Sequence, residues 1–290
     1  MYGEQPCRVV RWLKIEKLLK KKGLTILGKM EKYKKILELW RSYPLKSVAE
    51  LEKCLGSFRI LFAYNSGKIE NDEITYQNTR EIFENGKISA FCGDPRALFE
   101  QQNQKNCYEY LKDKIVAKKQ LSAELVKEIH RILTMGTYDE RRYIENGERP
   151  GEYKKHDYVT GIHEVGSAAE DVESDMDALL GEVSEYCGDE TLKVAAYLHA
   201  RFEYIHPFAD GNGRTGRTVL NYYLMTKSHP PLIVYDDDKR EYYAALQKYD
   251  EAEDIGVLHE FLRFQCEKTW AKTLKRANGE SPKRKCFSDF

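Results

Sequence analysis

The sequence predicts an all-α fold, and three observations support it. Apolar residues recur at intervals of three and four along most of the chain, which is the spacing of one face of an α-helix. Regular alternation of apolar and polar residues, the pattern of a half-buried strand, is almost absent. Ser122 precedes one helical pattern in the position of an N-cap residue, a common start signal.

Seven segments carry the helical pattern strongly enough to be placed. They cover residues 33–40, 51–62, 121–133, 172–180, 194–198, 219–224 and 255–262. A helical stretch over residues 192–205 must stop before Pro207, because proline disfavours helical backbone at the residue that precedes it. His206 is therefore expected at a helix end or in a loop, and not on a packed helix face.

Residues 146–161 are the exception to the helical pattern. Three glycines and one proline interrupt any helix there. Aromatic and β-branched side chains in the same segment favour extended backbone, namely Tyr153, Tyr158 and Val159. We therefore expect a short β-hairpin that projects from the helical body.

The composition narrows the class of protein. A chain of 290 residues can bury a sizeable core, and its 47 basic and 47 acidic residues give no net charge that would favour nucleic acid or an acidic membrane. The seven cysteines are scattered and form no Cys-x-x-Cys pair, which argues against a disulfide framework and a structural zinc site. Neither a signal peptide nor an apolar run of the ~20 residues needed for a membrane span is visible. A cytoplasmic protein in a reducing compartment is expected.

The most informative segment spans residues 206–217, His-Pro-Phe-Ala-Asp-Gly-Asn-Gly-Arg-Thr-Gly-Arg. A neutral histidine such as His206, with an ordinary pKa near ~6.5, can take the proton of an attacking hydroxyl. Gly211 and Gly213 allow backbone N–H groups to converge on an anion at the start of the next helix, whose dipole favours negative charge. These features predict a site for a phosphate group.

Three charged side chains strengthen that prediction. Asp210 offers a hard oxygen ligand that is suited to Mg²⁺ beside phosphates. Arg214 and Arg217 are three residues apart, so they share one face of a helix and point at the same place. Each residue alone would be read as an ordinary turn residue or a solvated arginine, whereas the combination indicates chemistry on a nucleotide phosphate.

The segment resembles, at every defining position, the signature of the Fic family, His-Pro-Phe-x-Asp/Glu-Gly-Asn-Gly-Arg-x-x-Arg. The resemblance covers roughly residues 60–270 and implies a Fic-like helical core. It implies that His206 is the general base, that Phe208 is a buried anchor of the loop and that Asp210 is the Mg²⁺ ligand. It also implies nucleotide-binding residues: Gly211, Asn212 and Gly213 for the α- and β-phosphates, Arg214 and Arg217 for the outer phosphates.

The same resemblance suggests a subclass and a target site. Doc-type members have lysine at the position of Gly213 and phosphorylate their targets, whereas glycine suits transfer of AMP. The expected hairpin looks like the family's flap, which holds a target segment as an added strand. The residues that would bind the target there are Tyr153, Tyr158 and Val159.

Two residues downstream match the family's base pocket less firmly. Tyr243 resembles a residue that lines adenine, although a tyrosine at this spacing could equally be an ordinary core aromatic. Asp250 falls where relatives often place an asparagine that contacts adenine. This departure leaves the base selectivity open.

An inhibitory motif is predicted far upstream of the histidine loop (residues 206–211). Ser66-Gly-Lys-Ile-Glu70-Asn71 fits the family pattern Ser/Thr-x-x-x-Glu-Gly/Asn. In one class of the family this glutamate pairs with the second motif arginine, here Arg217, and takes the space of the γ-phosphate. The alternative reading of Glu70 is an exposed glutamate on a helix surface.

These observations predict four regions along the chain. Residues 1–29 would be a basic tail whose native status is open, since translation could start at Met30. Residues 30–120 would be a helical region with the inhibitory helix, residues 121–275 the Fic core, and residues 276–290 a polar tail.

The predicted function is transfer of AMP from ATP, with Mg²⁺ as cofactor, to a Ser, Thr or Tyr hydroxyl of a target protein or of the chain itself. Autoinhibition by Glu70 is part of this prediction. Removal of AMP at the same site, use of another nucleotide or a phosphocholine donor, and a catalytically silent protein-binding module are the alternatives. The intact His206 and Asp210 argue against the silent module. No nucleic acid or membrane partner is expected, and a homodimer is left open.

Overall fold

A computed structural model of the chain describes residues 26–88, 90–159 and 166–279, and these ranges contain eleven α-helices. The helices are α1 (Ile26–Arg41), α2 (Val48–Leu55), α3 (Phe58–Glu70), α4 (Tyr76–Asn85), α5 (Pro95–Val116), α6 (Ala123–Thr134), α7 (Val172–Glu185), α8 (Thr191–Ile205), α9 (Asn212–Thr226), α10 (Lys239–Ala252) and α11 (Ile255–Ala277). The all-helical prediction is therefore confirmed. Most of the two predicted tails, residues 1–25 and 280–290, lies outside the described residues.

Helix α9 lies at the centre of the fold. It packs against α8, α6, α5 and α3, and nearly every one of its side chains is buried. Because this helix is enclosed on all sides, its Asn, Thr and Arg side chains are buried together with its apolar ones. The histidine loop leads directly into this helix, so the predicted site begins at the centre of the protein.

The first helices of the chain are packed onto the same body. The rings of Trp40 on α1 and Trp270 on α11 lie 5.2 Å apart in an edge-to-face arrangement. The hydroxyl of Tyr33 lies 2.6 Å from Nε2 of His229. The N-terminal helices are therefore part of the core.

The single helix expected over residues 51–62 is two helices in the structure. Gly56 adopts a positive φ of 49° and ends α2, and α3 begins two residues later at Phe58. Glycine adopts this backbone conformation without the strain that a Cβ atom would cause. The bend lets α3 run from Phe58 to Glu70 across the face of α9, where it reaches the histidine loop.

Three helices escaped the sequence analysis, and α5 is the most important of them. The side of α5 that faces the core carries polar residues, so the apolar pattern on which the prediction depended is weak there. The buried polar residues are Glu100, Gln101, Asn103 and Gln104. Two local signals were present at its start. The side chain of Asp94 caps the helix by accepting from the N–H of Arg96, and Pro95 occupies the first turn.

The predicted β-hairpin is wrong, because the described residues contain no strand. Residues 146–159 form a compact loop, and Gly161 lies outside the described residues. The carboxylate of Glu148 accepts from the backbone N–H of Lys155 at 3.0 Å and from the hydroxyl of Tyr158 at 2.9 Å. Because a buried side chain satisfies these groups, no ladder between two strands is needed. Tyr153, Tyr158 and Val159 are thus on a loop and not on strands.

None of the described helices combines the length and the apolar character that crossing a bilayer requires.

The close approach of α3 to α5 yields a stability prediction. A methyl group added at Gly67 would run into Nε2 of Gln101, which is buried and whose amide oxygen accepts from the hydroxyl of Thr79. We expect Gly67→Ala to lower the free energy of unfolding by about 1–3 kcal/mol, the range for overpacking. Chemical denaturation measures it.

Gly181→Ala on α7 is the matched control, because its new methyl group meets no atom within 4 Å. It should raise the free energy of unfolding by about 0.5–1 kcal/mol, since alanine loses less backbone entropy than glycine in a helix. Equal effects of the two substitutions would show that α3 and α5 are not in close contact at Gly67.

Candidate active site

The histidine loop joins the end of α8 to the start of α9. Helix α8 ends at Ile205, and His206 adopts a left-handed conformation with φ of 52°. Its N–H still donates to the carbonyl of Phe202 at 3.0 Å, so the histidine lies at the last turn of the helix. The chain turns here because Pro207 cannot follow a helical residue. The His206 side chain consequently faces a cavity of about 540 Å³ that the loop borders.

Asn212 and Phe208 hold the loop in one conformation. The amide oxygen of Asn212 accepts from the N–H of Phe208 at 2.9 Å, and its amide nitrogen donates to the Phe208 carbonyl at 2.7 Å. The Phe208 ring is completely buried. Because its side chain is used in this way, Asn212 can offer a ligand only its backbone N–H at the first turn of α9.

His130 on α6 is a second support of the loop, and no sequence pattern predicts this role. Its ring stacks on that of Phe208 with centroids 3.7 Å apart and planes 2° from parallel. Nδ1 accepts from the N–H of Gly151 at 2.9 Å, so Nε2 carries the proton and donates to the carbonyl of Asp210 at 2.9 Å. Burial lowers the pKa of His130 to about 3, which keeps this ring neutral.

The imidazole of His206 is in the form that can accept a proton. Burial, with the positive charge of Lys154 adding to it, lowers the pKa of His206 to about 4. The ring is therefore neutral at ordinary pH. A neutral imidazole beside a cavity can serve as a general base for a hydroxyl that enters the cavity.

The other side of the cavity is an anion site. Helix α9 begins at Asn212, and its first N–H groups have no partner within the helix. Arg214 is only 3% exposed, and its Nε and one terminal nitrogen make no hydrogen bond. That terminal nitrogen lies 3.1 Å from the Glu100 carboxylate, an ion pair without hydrogen-bond geometry. Buried guanidinium donors without a partner are costly, so this arrangement suits a bound anion.

Asp210 faces the same cavity, with both of its carboxylate oxygens engaged. Oδ1 accepts from the N–H of Gly211 at 2.7 Å, and Oδ2 accepts from Arg96 at 2.5 Å. Burial alone would raise the pKa of Asp210, but the guanidinium groups of Arg214 and Arg96 outweigh it and the pKa is lowered. The carboxylate is therefore ionised, as a metal ligand must be.

The residues present fit a magnesium ion that arrives with a nucleotide. Within the described ranges, no three His, Cys, Asp or Glu side chains gather to hold a metal by themselves. Mg²⁺ at nucleotide sites needs only one or two protein carboxylates, because phosphates and water supply the remaining ligands. Asp210 meets that requirement.

The upstream glutamate reaches the site. Glu70, the last residue of α3, places Oε1 2.7 Å from a terminal nitrogen of Arg217, and 35% of its side chain is exposed toward the cavity. Burial would raise the pKa of Glu70, but the charge of Arg217 outweighs it and the pKa lies below its ordinary value. The two side chains thus form an ion pair.

Ser66 and Gly213 make room for this contact. The hydroxyl of Ser66 accepts from Nε of Arg217 at 3.1 Å, and its carbonyl accepts from the same guanidinium at 2.9 Å. A Cβ atom at Gly213 would lie 2.5 Å from Oε1 of Glu70, so only glycine fits beneath the carboxylate. Asn71 ends α3 and borders the cavity, where its side chain accepts from the N–H of Glu73.

The loop residues expected to bind a target have different positions. Tyr153 packs inward, with its ring centroid 5.5 Å from that of Phe208. Tyr158 and Val159 border the cavity on the side of His206, and Val159 is 72% exposed. Only Tyr158 and Val159 can therefore meet a molecule that enters the cavity in this conformation.

The two residues that were predicted to line a base pocket lie on α10. Tyr243 is 45% exposed and packs against Tyr242, with ring centroids 5.2 Å apart. Asp250 is seven residues later on the same helix and is exposed, which puts both on one face of α10. In the part of the chain that the structure describes, the cavity beside His206 is bordered by neither of them.

This geometry defines a class of protein, a helical domain in which a histidine loop faces an anion site at a helix N-terminus. Residues 120–224 match the Fic/DOC family. This central part of the chain is therefore similar to the Fic/DOC family. Its match covers α6 to α9, the helices that carry the histidine loop and its supports.

Curated proteins named Fic are similar to most of this chain. A protein adenylyltransferase Fic from Drosophila persimilis is 28% identical over 220 residues, which cover 73% of this chain and 39% of the relative. A protein of the same name from Nematostella vectensis is 29% identical over 208 residues, 69% of this chain and 44% of the relative. The chain thus spans less than half the length of these relatives.

Solved structures share the fold. A Fic domain containing signaling protein from Bacteroides thetaiotaomicron superposes with a TM-score of 0.74 at 22% identity, over 88% of this chain and 100% of the other. Fic-1 from C. elegans superposes with a TM-score of 0.71 at 18% identity, over 96% of this chain and 80% of the other. The likeness establishes a common fold.

The role of His130 as a support yields a prediction. His130→Phe keeps the stacking on Phe208 but removes both hydrogen bonds, which leaves the N–H of Gly151 and the carbonyl of Asp210 without their partner. We expect the free energy of unfolding to fall by about 1–3 kcal/mol. Hydrogen exchange of the Gly151 amide should also become faster, and both effects can be measured on the purified protein.

His156→Phe is the control, because His156 lies on the same loop and is exposed. It should leave the stability and the exchange of Gly151 nearly unchanged. Slow exchange of Gly151 in His130→Phe would mean that His130 does not hold the loop.

Proposed function

We propose that this chain is a protein adenylyltransferase, which transfers AMP from ATP to a hydroxyl of a target protein. The names of its relatives support the reaction class. The observation that carries the proposal for this chain is that a neutral His206 and Arg214, whose buried Nε and one terminal nitrogen make no hydrogen bond, border one cavity. One group can take a proton from a hydroxyl, and the other can bind a phosphate.

Each side of the reaction has its own residues in this proposal. His206 removes the proton of the acceptor hydroxyl as that oxygen attacks the α-phosphorus. The first N–H groups of α9, at residues 212 and 213, and Arg214 bind the phosphates and stabilise their negative charge. The bond from the α-phosphorus to the bridging oxygen breaks, and pyrophosphate leaves. The acceptor keeps AMP.

Asp210 would hold Mg²⁺ beside the phosphates. A magnesium ion neutralises phosphate charge and orients the leaving group when it is bound. The ionised carboxylate of Asp210 supports this assignment. Tyr158 and Val159, which border the cavity, would contact the target segment, and Tyr243 and Asp250 would lie toward the base of the nucleotide.

Removal of AMP is a second candidate, and one observation favours it. Glu70 borders the same cavity as His206, with part of its carboxylate open to it. A carboxylate in that place can orient a water molecule toward a phosphorus atom of a bound AMP-protein. The two reactions would use the same site: transfer from ATP releases pyrophosphate, and hydrolysis of the AMP-protein consumes water and releases AMP.

The proposal is tested by asking which phosphate of ATP is transferred to the target protein. The protein is incubated with ATP labelled on the α-phosphate or on the γ-phosphate, together with a lysate, and labelled proteins are identified by mass spectrometry. We expect the added protein to raise incorporation of α-label above that of the lysate alone and to leave γ-label, which lysate kinases also incorporate, at the level of the lysate, because Gly213 stands where Doc-type members have lysine. A rise in γ-label alone would contradict AMP transfer.

His206→Ala is the matched variant in that experiment. It should abolish labelling while ADP binding stays within about threefold of the parent, because the imidazole acts on the hydroxyl and not on the phosphates. Labelling by His206→Ala at the parent's rate would refute the assigned base.

The Glu70–Arg217 pair makes a separate prediction about regulation. We expect Glu70→Gly to raise AMP transfer tenfold or more, which requires only about 1.4 kcal/mol of relieved competition. Arg217→Ala should lower transfer and should erase the gain from Glu70→Gly, because both act through one contact. Initial rates of the two single variants and the double variant measure this coupling.

Glu84→Gly is the control for the glycine substitution. Glu84 also lies in the last turn of a helix and pairs with an arginine, Arg80, but on the exposed face of α4. Its transfer rate should equal that of the parent. A gain in Glu70→Gly that survives the loss of Arg217 would show that the glutamate acts elsewhere.

A further inference from the structure

Each charged side chain within residues 206–217 faces a partner from the helices that precede the family match. Arg217 pairs with Glu70 at 2.7 Å, which the family resemblance predicts. Arg214 lies 3.1 Å from Glu100, and Asp210 lies 2.5 Å from Arg96. The last two contacts come from α5, the helix that the sequence analysis missed, and they do not involve the inhibitory motif.

Arg96 is held in place from both ends. It is the second residue of α5, after the Asp94 cap and Pro95. Its Nε donates to the Glu100 carboxylate at 3.0 Å, and its terminal nitrogen donates to Oδ2 of Asp210 at 2.5 Å. Glu100 is buried, so it orients the guanidinium toward Asp210 and leaves it little freedom.

The Arg96 contact occupies the oxygen that a metal ion would need. The Gly211 N–H uses Oδ1 of Asp210, and Arg96 uses Oδ2. The guanidinium of Arg96 at Oδ2 opposes a cation that coordinates Asp210, because two positive groups close to one carboxylate repel each other in a partly buried site. We propose that Arg96 acts as an internal cation that competes with Mg²⁺ for Asp210 and thereby sets the metal affinity of the site.

This proposal extends the proposed AMP transfer, on which it rests. Arg96 keeps its partner Glu100 when it leaves Asp210, so displacement does not expose an unpaired buried charge on α5. Arg96 therefore determines the metal affinity of the site. This effect is separate from that of Glu70, which blocks the position of the γ-phosphate. Loss of Arg96 should increase metal affinity without opening Arg217.

Metal binding tests the proposal directly. Dissociation constants of Mn²⁺ are measured by electron paramagnetic resonance at a saturating concentration of ADP, for the parent, Arg96→Gln and Arg80→Gln. Glutamine keeps most of the side-chain length and a donor but removes the charge. Arg80→Gln removes the same charge on the exposed face of α4, where Arg80 pairs with Glu84.

We expect Arg96→Gln to bind Mn²⁺ tenfold or more tightly than the parent, and Arg80→Gln to match the parent. The gain should disappear in Arg96→Gln/Asp210→Asn, since Asp210 is the group that Arg96 protects. Thermal unfolding confirms that each variant is folded, and Arg96→Lys, which keeps the charge, should stay close to the parent.

Two other results would overturn the inference. Equal Mn²⁺ affinity in Arg96→Gln and the parent would mean that Arg96 does not compete with the metal. Weaker binding of metal-free ADP by Arg96→Gln, without tighter Mn²⁺ binding, would assign Arg96 to the phosphates instead. Absence of ADP binding in every variant would refute the proposed function itself, which is a distinguishable outcome.

Discussion

A buried arginine at the centre of the fold constrains the N-terminal helices. Arg217 is 1% exposed, and its hydrogen-bond partners on α3 are the hydroxyl and carbonyl of Ser66 and the carboxylate of Glu70. A buried guanidinium is stable only when such partners compensate its charge. Helix α3 therefore has to lie where it does for α9 to be stable, and the contact that completes the fold also closes the site.

The other two charged residues within positions 206–217 also have partners on the N-terminal helices. Asp210 and Arg214 are matched by Arg96 and Glu100, so the N-terminal helices balance the charges that a nucleotide and its metal would otherwise balance. A ligand must replace protein partners that are already in place, which makes binding a competition and not the filling of an open site. Arg214 is the exception, because some of its donors stay without hydrogen bonds and remain ready for a phosphate.

The sequence predicted the histidine loop well because its chemistry is contiguous. Pro207, the glycines and the charged residues all lie within twelve positions, and local rules place each of them. The helices were recognised where apolar residues face the core. Helix α5 was not, because it turns buried polar residues such as Gln101 and Asn103 toward the core, and periodicity cannot distinguish these from a solvated face.

Other features were missed because specific side-chain contacts decide the local structure. Extended preferences at Tyr158 and Val159 were read correctly as non-helical, but Glu148 satisfies the backbone there and no strand forms. His130 was not singled out in the sequence, and its role depends on two hydrogen bonds and on the stacked Phe208 ring. Neither interaction leaves a trace in composition or spacing.

The central claim is that Glu70 occupies the position at which Arg217 would bind the γ-phosphate. The most direct measurement compares the affinities of ATP and ADP by calorimetry, in the parent and in Glu70→Gly, at one fixed Mg²⁺ concentration. The account predicts that the parent binds ATP no more tightly than ADP, whereas Glu70→Gly prefers ATP by tenfold or more, about 1.4 kcal/mol. A parent that already prefers ATP by the same factor as Glu70→Gly would contradict it.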